Sequence, residues 1–144
     1  MTRDIPDVNA TTQKPERLRW GRIIAGAFLL ELLLVIALVP PLQILGPEKV
    51  IPFVYPAVFI LSFVVAWWLL RKVPHRPVIH GALIGIIATI IYVVLCFTNP
   101  DGIKAVIDMY GLVGFVLGNG LRILGCIAGG YALRSAPVRE PMKT

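Results

Sequence analysis

Charged residues are scarce in this chain, and their scarcity excludes an ordinary soluble domain. Only 15% of the 144 residues are Asp, Glu, Lys or Arg, whereas 57% are hydrophobic. A soluble domain wets its surface with about a quarter charged residues. Most of this chain is therefore expected to lie in lipid. Because only closed hydrogen-bonded structures cross a bilayer, we predict an all-α membrane fold.

The sequence also lacks the common motifs of catalysis and metal binding. It contains no HExxH, no GxSxG and no glycine-rich phosphate loop. Of the two cysteines, Cys96 and Cys126 are expected to lie too far apart in depth for a disulfide. His75 and His80 have no Cys or carboxylate near them and are interpreted as interfacial side chains. We therefore expect no enzyme, no cofactor and no metal site.

Four apolar segments, each of membrane-spanning length, are separated by turn-forming residues. A helix of about 20 residues crosses a hydrocarbon core of roughly 30 Å. Pro40 and Pro41 are predicted to close the first span, and the turn formers at 99–102 to stop the third. The prediction is a disordered tail at 1–19, a membrane domain at 20–134 with helices at 22–43, 51–71, 78–98 and 111–134, and a second tail at 135–144.

Basic residues predict the orientation of these helices. Of the 14 Lys and Arg, eleven fall in the two tails or in the loop between spans two and three. Only Lys49 and Lys104 fall in the other loops, and Arg122 lies inside a span. This bias predicts that both termini are cytoplasmic. Because the sequence has no organelle address, we expect the membrane to be a bacterial inner membrane. The net charge of +6 therefore reflects topology, and we expect no nucleic-acid partner.

The segment between spans three and four has a helical pattern of its own. Ile103, Val106, Ile107 and Tyr110 recur at i, i+3, i+4 and i+7. The pattern predicts a short interfacial helix or a leading turn of span four. Tyr110, together with Tyr55 of span two, is expected to anchor the outer membrane interface.

Glycines at helical spacing predict packing faces on spans three and four. A glycine lets a neighbouring backbone approach closely, and such packing is a main source of helix association in lipid. We expect the two spans to pack as a hairpin, with a homodimer interface as the alternative. The predicted packing residues are Gly81 and Gly85 in span three and Gly111, Gly114, Gly118, Gly125 and Gly129 in span four.

A buried polar cluster is the candidate site. Glu31 is the only carboxylate inside any span, and Arg122 is the only arginine away from the ends of the spans. They lie roughly 14 Å and 18 Å from the inner boundary, so a long arginine side chain can reach the carboxylate. Unpaired charges are costly in lipid, so we expect the two to pair. The candidate cluster comprises Glu31, Arg122, Tyr92, Asn119, Ser62 and Thr89.

Two functions are compatible with such a cluster. A network that fixes helix register favours a non-enzymatic structural or accessory subunit of a membrane assembly, with a homodimer or larger complex as partner. The alternative is a small proton-linked transporter using Glu31 and Arg122. One carboxylate in the first of four short helices resembles small multidrug resistance exporters, although Arg122 and the long polar tails depart from that family's pattern.

Overall fold

Four helices make up almost all of the described chain. The computed structural model describes residues 18–73 and 75–135. All four helices are long and apolar enough to cross a membrane, which confirms the predicted all-α class and the number of such helices. They are α1 (Trp20–Leu45), α2 (Pro47–Leu70), α3 (Pro77–Thr98) and α4 (Gly102–Arg134).

The predicted tails at 1–19 and 135–144 lie almost entirely outside the described residues. The structure also differs from the prediction at the end of α1, where Pro40 and Pro41 lie inside the helix. Each proline removes one N–H donor, but transmembrane helices tolerate this where other groups satisfy the freed carbonyls. The chain reverses at Gly46 alone, whose φ of 81° and ψ of 157° suit only glycine.

α4 begins earlier than predicted and is interrupted once. It is helical from Gly102, and its backbone leaves helical geometry at Gly111, with φ 70° and ψ 163°. The glycine divides α4 into segments 102–110 and 112–134. In the first segment, Lys104 Nζ lies 3.0 Å from Asp108 Oδ2, an exposed pair one turn apart that supports the local helix. That this segment lies along the outer membrane surface stays a prediction.

The helices are arranged around the bundle in the order α1, α2, α4, α3. α1 packs on α2 and α3, and α4 packs on the same two helices. Within the described residues, no Cα atom of α1 lies within 8 Å of one in α4. The two helices therefore occupy opposite corners. Short connections make consecutive helices antiparallel, so the end of α1 and the start of α4 share one end of the bundle.

The other end of the bundle is closed by an apolar core. Ile23, Leu30 and Ile84 have no exposed surface, and Leu70 is almost as buried. At the helix starts beyond this core, His80 is buried as well. Its Nε2 accepts the Arg19 N–H at 3.3 Å, so Nδ1 carries the proton toward a carbonyl oxygen 3.1 Å away. His80 therefore joins the starts of α1 and α3 instead of facing the surface.

Candidate functional site

The central feature of the bundle interior is an ion pair between opposite helices. Arg122 Nη1 on α4 lies 3.3 Å from Glu31 Oε1 on α1. Both residues are more than nine-tenths buried, with 6% and 4% of their surface exposed. Because the backbones of α1 and α4 do not touch, the long arginine side chain spans the gap between them.

Two further residues of the predicted cluster contact the guanidinium group. Arg122 Nη1 donates to Asn119 Oδ1 at 3.1 Å, and Asn119 Nδ2 donates to the Phe115 carbonyl at 2.9 Å. The second bond fixes which side of the amide faces the arginine. The Tyr92 ring centroid lies 4.7 Å from Arg122 Cζ, within the range of a cation–π contact. The cation is thus held by a charge, a hydrogen bond and a ring face.

The ion pair is incompletely satisfied. Glu31 Oε1 and Arg122 Nε are both buried, and neither has a hydrogen-bond partner in the part of the chain that the structure describes. Oε1 is within ion-pair distance of Nη1, but the approach is too oblique for a hydrogen bond. Desolvating a charged group costs several kcal/mol and is offset only when its hydrogen bonds are made. The pair therefore retains capacity to bind a further polar group.

A cavity of about 270 Å³ ends at this pair. It occupies the gap between α1 and α4, in the half of the bundle near Gly46. Tyr55 and Tyr110, expected as interfacial anchors, lie on its wall. Its lining is largely apolar: Leu34, Val35, Leu38, Val39, Leu42, Val54, Val58, Val106, Met109, Gly114, Phe115 and Gly118 complete the wall together with Glu31, Arg122, Tyr92 and Asn119.

The cavity reaches the surface of the bundle between its two main walls. Val35 and Val39 of α1 and Met109 of α4 line it, and they are 48%, 39% and 42% exposed. The rim is thus apolar, while the charges lie at the inner end. Such a site accommodates a molecule with a polar head and an apolar body.

Ser62 and Thr89 are not part of this site, contrary to the prediction of one shared network. The Ser62 side chain packs where α2 meets Gly125. The backbone carbonyl oxygen of Ser62 accepts the Cys126 Sγ–H at 3.7 Å. The hydroxyls of Ser62 and Thr89 have no hydrogen-bond partner among the described residues. Similar depth brings residues to one layer, but the rotation of each helix decides which of them meet.

Close packing on α4 involves only some of the predicted glycines. A Cβ at Gly81 would meet the Cys126 carbonyl, and one at Gly85 would lie 2.8 Å from Ile123 Cα, so both glycines of α3 pack on α4. A Cβ at Gly125 would lie 2.6 Å from the Phe59 carbonyl oxygen and one at Gly129 2.6 Å from that of Phe63, so this part of α4 packs on α2.

Gly111 and Gly118, predicted to pack against another helix, do not do so within the bundle. A Cβ at either position would meet no atom within 4 Å. Gly111 interrupts the helix, and Gly118 lines the cavity. Gly114 also lines the cavity, and a Cβ there would lie 2.5 Å from the Tyr55 hydroxyl. The glycine stripe therefore changes its role along α4, from cavity wall to helix contact.

Helical spacing in the sequence also contains a signal for wall residues that are not among the predicted site residues. Leu34, Val35 and Leu38 follow Glu31 at i+3, i+4 and i+7, and all three line the cavity. Phe115 and Gly118 precede Arg122 on the matching face of α4. Following each face from its charged residue toward Gly46 would have identified most of the wall.

The site combines a carboxyl that can bind a proton, a permanent cation, an aromatic face and an apolar wall. In residues 18–73 and 75–135, no three His, Cys, Asp or Glu side chains gather as a metal site. No protein-family model, curated protein or solved structure matches the chain.

Proposed function

We propose that this integral membrane protein is a small proton-linked transporter, with Glu31 as the group that takes up and releases the proton. The observation that carries the proposal is the cavity that ends at two buried, oppositely charged side chains. A carboxylate changes its charge by binding a proton, whereas a guanidinium effectively cannot lose one. Glu31 is therefore the exchanging group, and Arg122 is its counter-ion and the substrate anchor.

The distribution of arginines supports an orientation with both termini in the cytoplasm. In that orientation the cavity opens on the outer half of the membrane. The apolar core of Ile23, Leu30 and Ile84 then closes the cytoplasmic half. A cavity that is closed on the cytoplasmic half is one feature of an outward-facing state of an alternating-access transporter. Release to the cytoplasm would require these side chains to separate.

Proton flux into proteoliposomes tests the proposal. Vesicles with an internal pH-sensitive dye are exposed in turn to small organic acids, amines and zwitterions. We expect at least one class to change the internal pH faster than in protein-free vesicles, and Glu31→Gln to lose the difference. Val116→Leu, at a position 62% exposed and outside the cavity wall, is the matched control and should behave as wild type. Equal fluxes with and without the Glu31 carboxyl would reject the role of Glu31.

A structural or accessory subunit is the second candidate, either in a homodimer or in a larger membrane assembly. One observation favours it: the ion pair connects α1 and α4 where, in the described residues, their backbones make no contact. Holding two corners of the bundle together is a sufficient role for the pair. A stable double variant, Glu31→Leu with Arg122→Leu, that still supports the cellular phenotype would favour this candidate.

A further inference from the structure

We infer that the cavity binds an amphipathic organic anion together with one proton, so that the two occupy the site as a neutral pair. The inference rests on the proposed function and deepens it, because it names the class of substrate. It follows from the charges on the cavity wall and from the room beside them.

The wall of the cavity is electrically balanced. Among its lining residues, only Glu31 and Arg122 carry a formal charge, and Tyr55, Tyr92 and Asn119 are neutral polar groups. With Glu31 ionised, the site has a net charge of zero. Any charged ligand breaks this balance inside a bundle surrounded by lipid, where an uncompensated charge costs several kcal/mol.

Only an anion allows the balance to be restored. An anion that takes the place of Glu31 on the guanidinium leaves a carboxylate that can bind a proton and become neutral. A cation would pair with Glu31 instead, and Arg122 would keep a permanent charge with no anion beside it. The same two side chains therefore select against cations and couple each bound anion to the uptake of one proton.

The guanidinium group has donors to spare for such a ligand. The guanidinium group has five N–H donors. Nη1 donates to Asn119 Oδ1 and lies at ion-pair distance from Glu31 Oε1, while Nε has no hydrogen-bond partner among the described residues. The planar fork of an arginine matches the two oxygens of a carboxylate. The Tyr92 ring covers one face of the guanidinium, so a ligand can reach only its edge or its opposite face.

The rest of the cavity sets the size and polarity of the ligand. Its volume of about 270 Å³ corresponds to on the order of nine water-sized groups at about 30 Å³ each. The aliphatic side chains of Leu34, Leu38 and Val58 line the space beyond the charged pair. A short aliphatic carboxylate fits this space, and hexanoate is a suitable probe.

Calorimetric titration of the wild-type protein in nanodiscs of zwitterionic lipid tests the inference. Hexanoate and the size-matched cation hexylammonium are compared in two buffers with different heats of ionisation. We expect hexanoate to bind with uptake of about one proton and to weaken about tenfold per pH unit once Glu31 is ionised. Hexylammonium should bind at least tenfold more weakly. Tighter binding of the cation, binding of hexanoate without a proton, or binding of neither would overturn the inference.

Two variants separate the roles of the charged side chains. Arg122→Gln should abolish hexanoate binding, whereas Glu31→Gln should bind it without proton uptake and with an affinity that does not change with pH. Val116→Leu should match the wild type. If a variant fails to fold, the wild-type proton count still decides. If hexanoate binds with a proton but drives no flux in proteoliposomes, the transport function is rejected and the binding inference stands. If only amines drive flux, the choice of an anion is rejected and the transport function stands.

Discussion

At the scale of single residues, Glu31 and Arg122 differ in how they respond to losing their partner. Glu31→Leu leaves a permanent cation that is buried and cannot become neutral. Arg122→Leu leaves a carboxyl that can bind a proton and donate a hydrogen bond. We therefore expect Glu31→Leu to lower the free energy of unfolding by about 3–5 kcal/mol, and Arg122→Leu to cost less.

The double variant completes the test of pairing. Removing both side chains should recover much of the loss, because a buried pair contributes little net stability over apolar residues of similar size. Denaturation of all four proteins in the same detergent gives the coupling free energy. Strictly additive losses would show that the two residues do not act as a pair.

The polar cluster illustrates what sequence can and cannot predict at this scale. Depth along a helix follows from residue counting, so the approach of Glu31 and Arg122 was predictable from their positions. The separation of Ser62 and Thr89 from that pair depends on how far each helix is rotated about its axis. Rotation is set by many small packing contacts, such as Gly125 against α2, and no single residue encodes it.

At the scale of the helices, glycines of the same stripe should respond differently to the same substitution. Gly125→Ala places a methyl group 2.6 Å from the Phe59 carbonyl oxygen, so we expect a loss of about 1–3 kcal/mol. Gly118→Ala meets no atom within 4 Å and should be neutral or gain up to about 1 kcal/mol, because alanine favours a helix. Thermal unfolding in detergent measures both. Equal losses would place Gly118 in a helix contact as well.

The break in α4 gives a second prediction at this scale. Gly111 has a φ of 70° and a ψ of 163°, a region that is essentially restricted to glycine. Gly111→Ala should therefore cost about 1–3 kcal/mol by strain alone, since a Cβ there meets no neighbour. Gly120→Ala is the control, with equal space and no positive φ. An unchanged melting temperature for both would argue against the break.

Sequence patterns predict the existence of the helices better than their limits. The four apolar runs were sufficient to identify four helices of spanning length, because lipid demands an apolar surface along each. Pro40 and Pro41 were misleading, since proline ends helices in water more reliably than in a membrane protein. Gly125 and Gly129 of α4 pack on α2, although the predicted partner of α4 is α3. This contact depends on the order of the helices around the bundle, which short loops do not determine.

At the scale of the whole molecule, the orientation in the membrane is testable by chemical labelling. In a chain in which Cys96 and Cys126 have been replaced, single cysteines are introduced as Glu48→Cys, Lys104→Cys or His75→Cys, all at exposed positions. The first two should react with a membrane-impermeant thiol reagent added outside intact cells, and the third only after lysis. The reverse pattern would invert the orientation and place the cavity opening on the cytoplasmic side.

The position of α1 and α4 at opposite corners has a consequence for how the protein is made. The ribosome delivers Glu31 in the first helix and Arg122 in the last, and synthesis of the intervening chain takes on the order of 5–20 s at about 5–20 residues per second. During that interval the acid is in the bilayer without its cation, so the neutral form is favoured. Docking of α4 then supplies the cation, so the burial of the acid is compensated only at the last step of biogenesis.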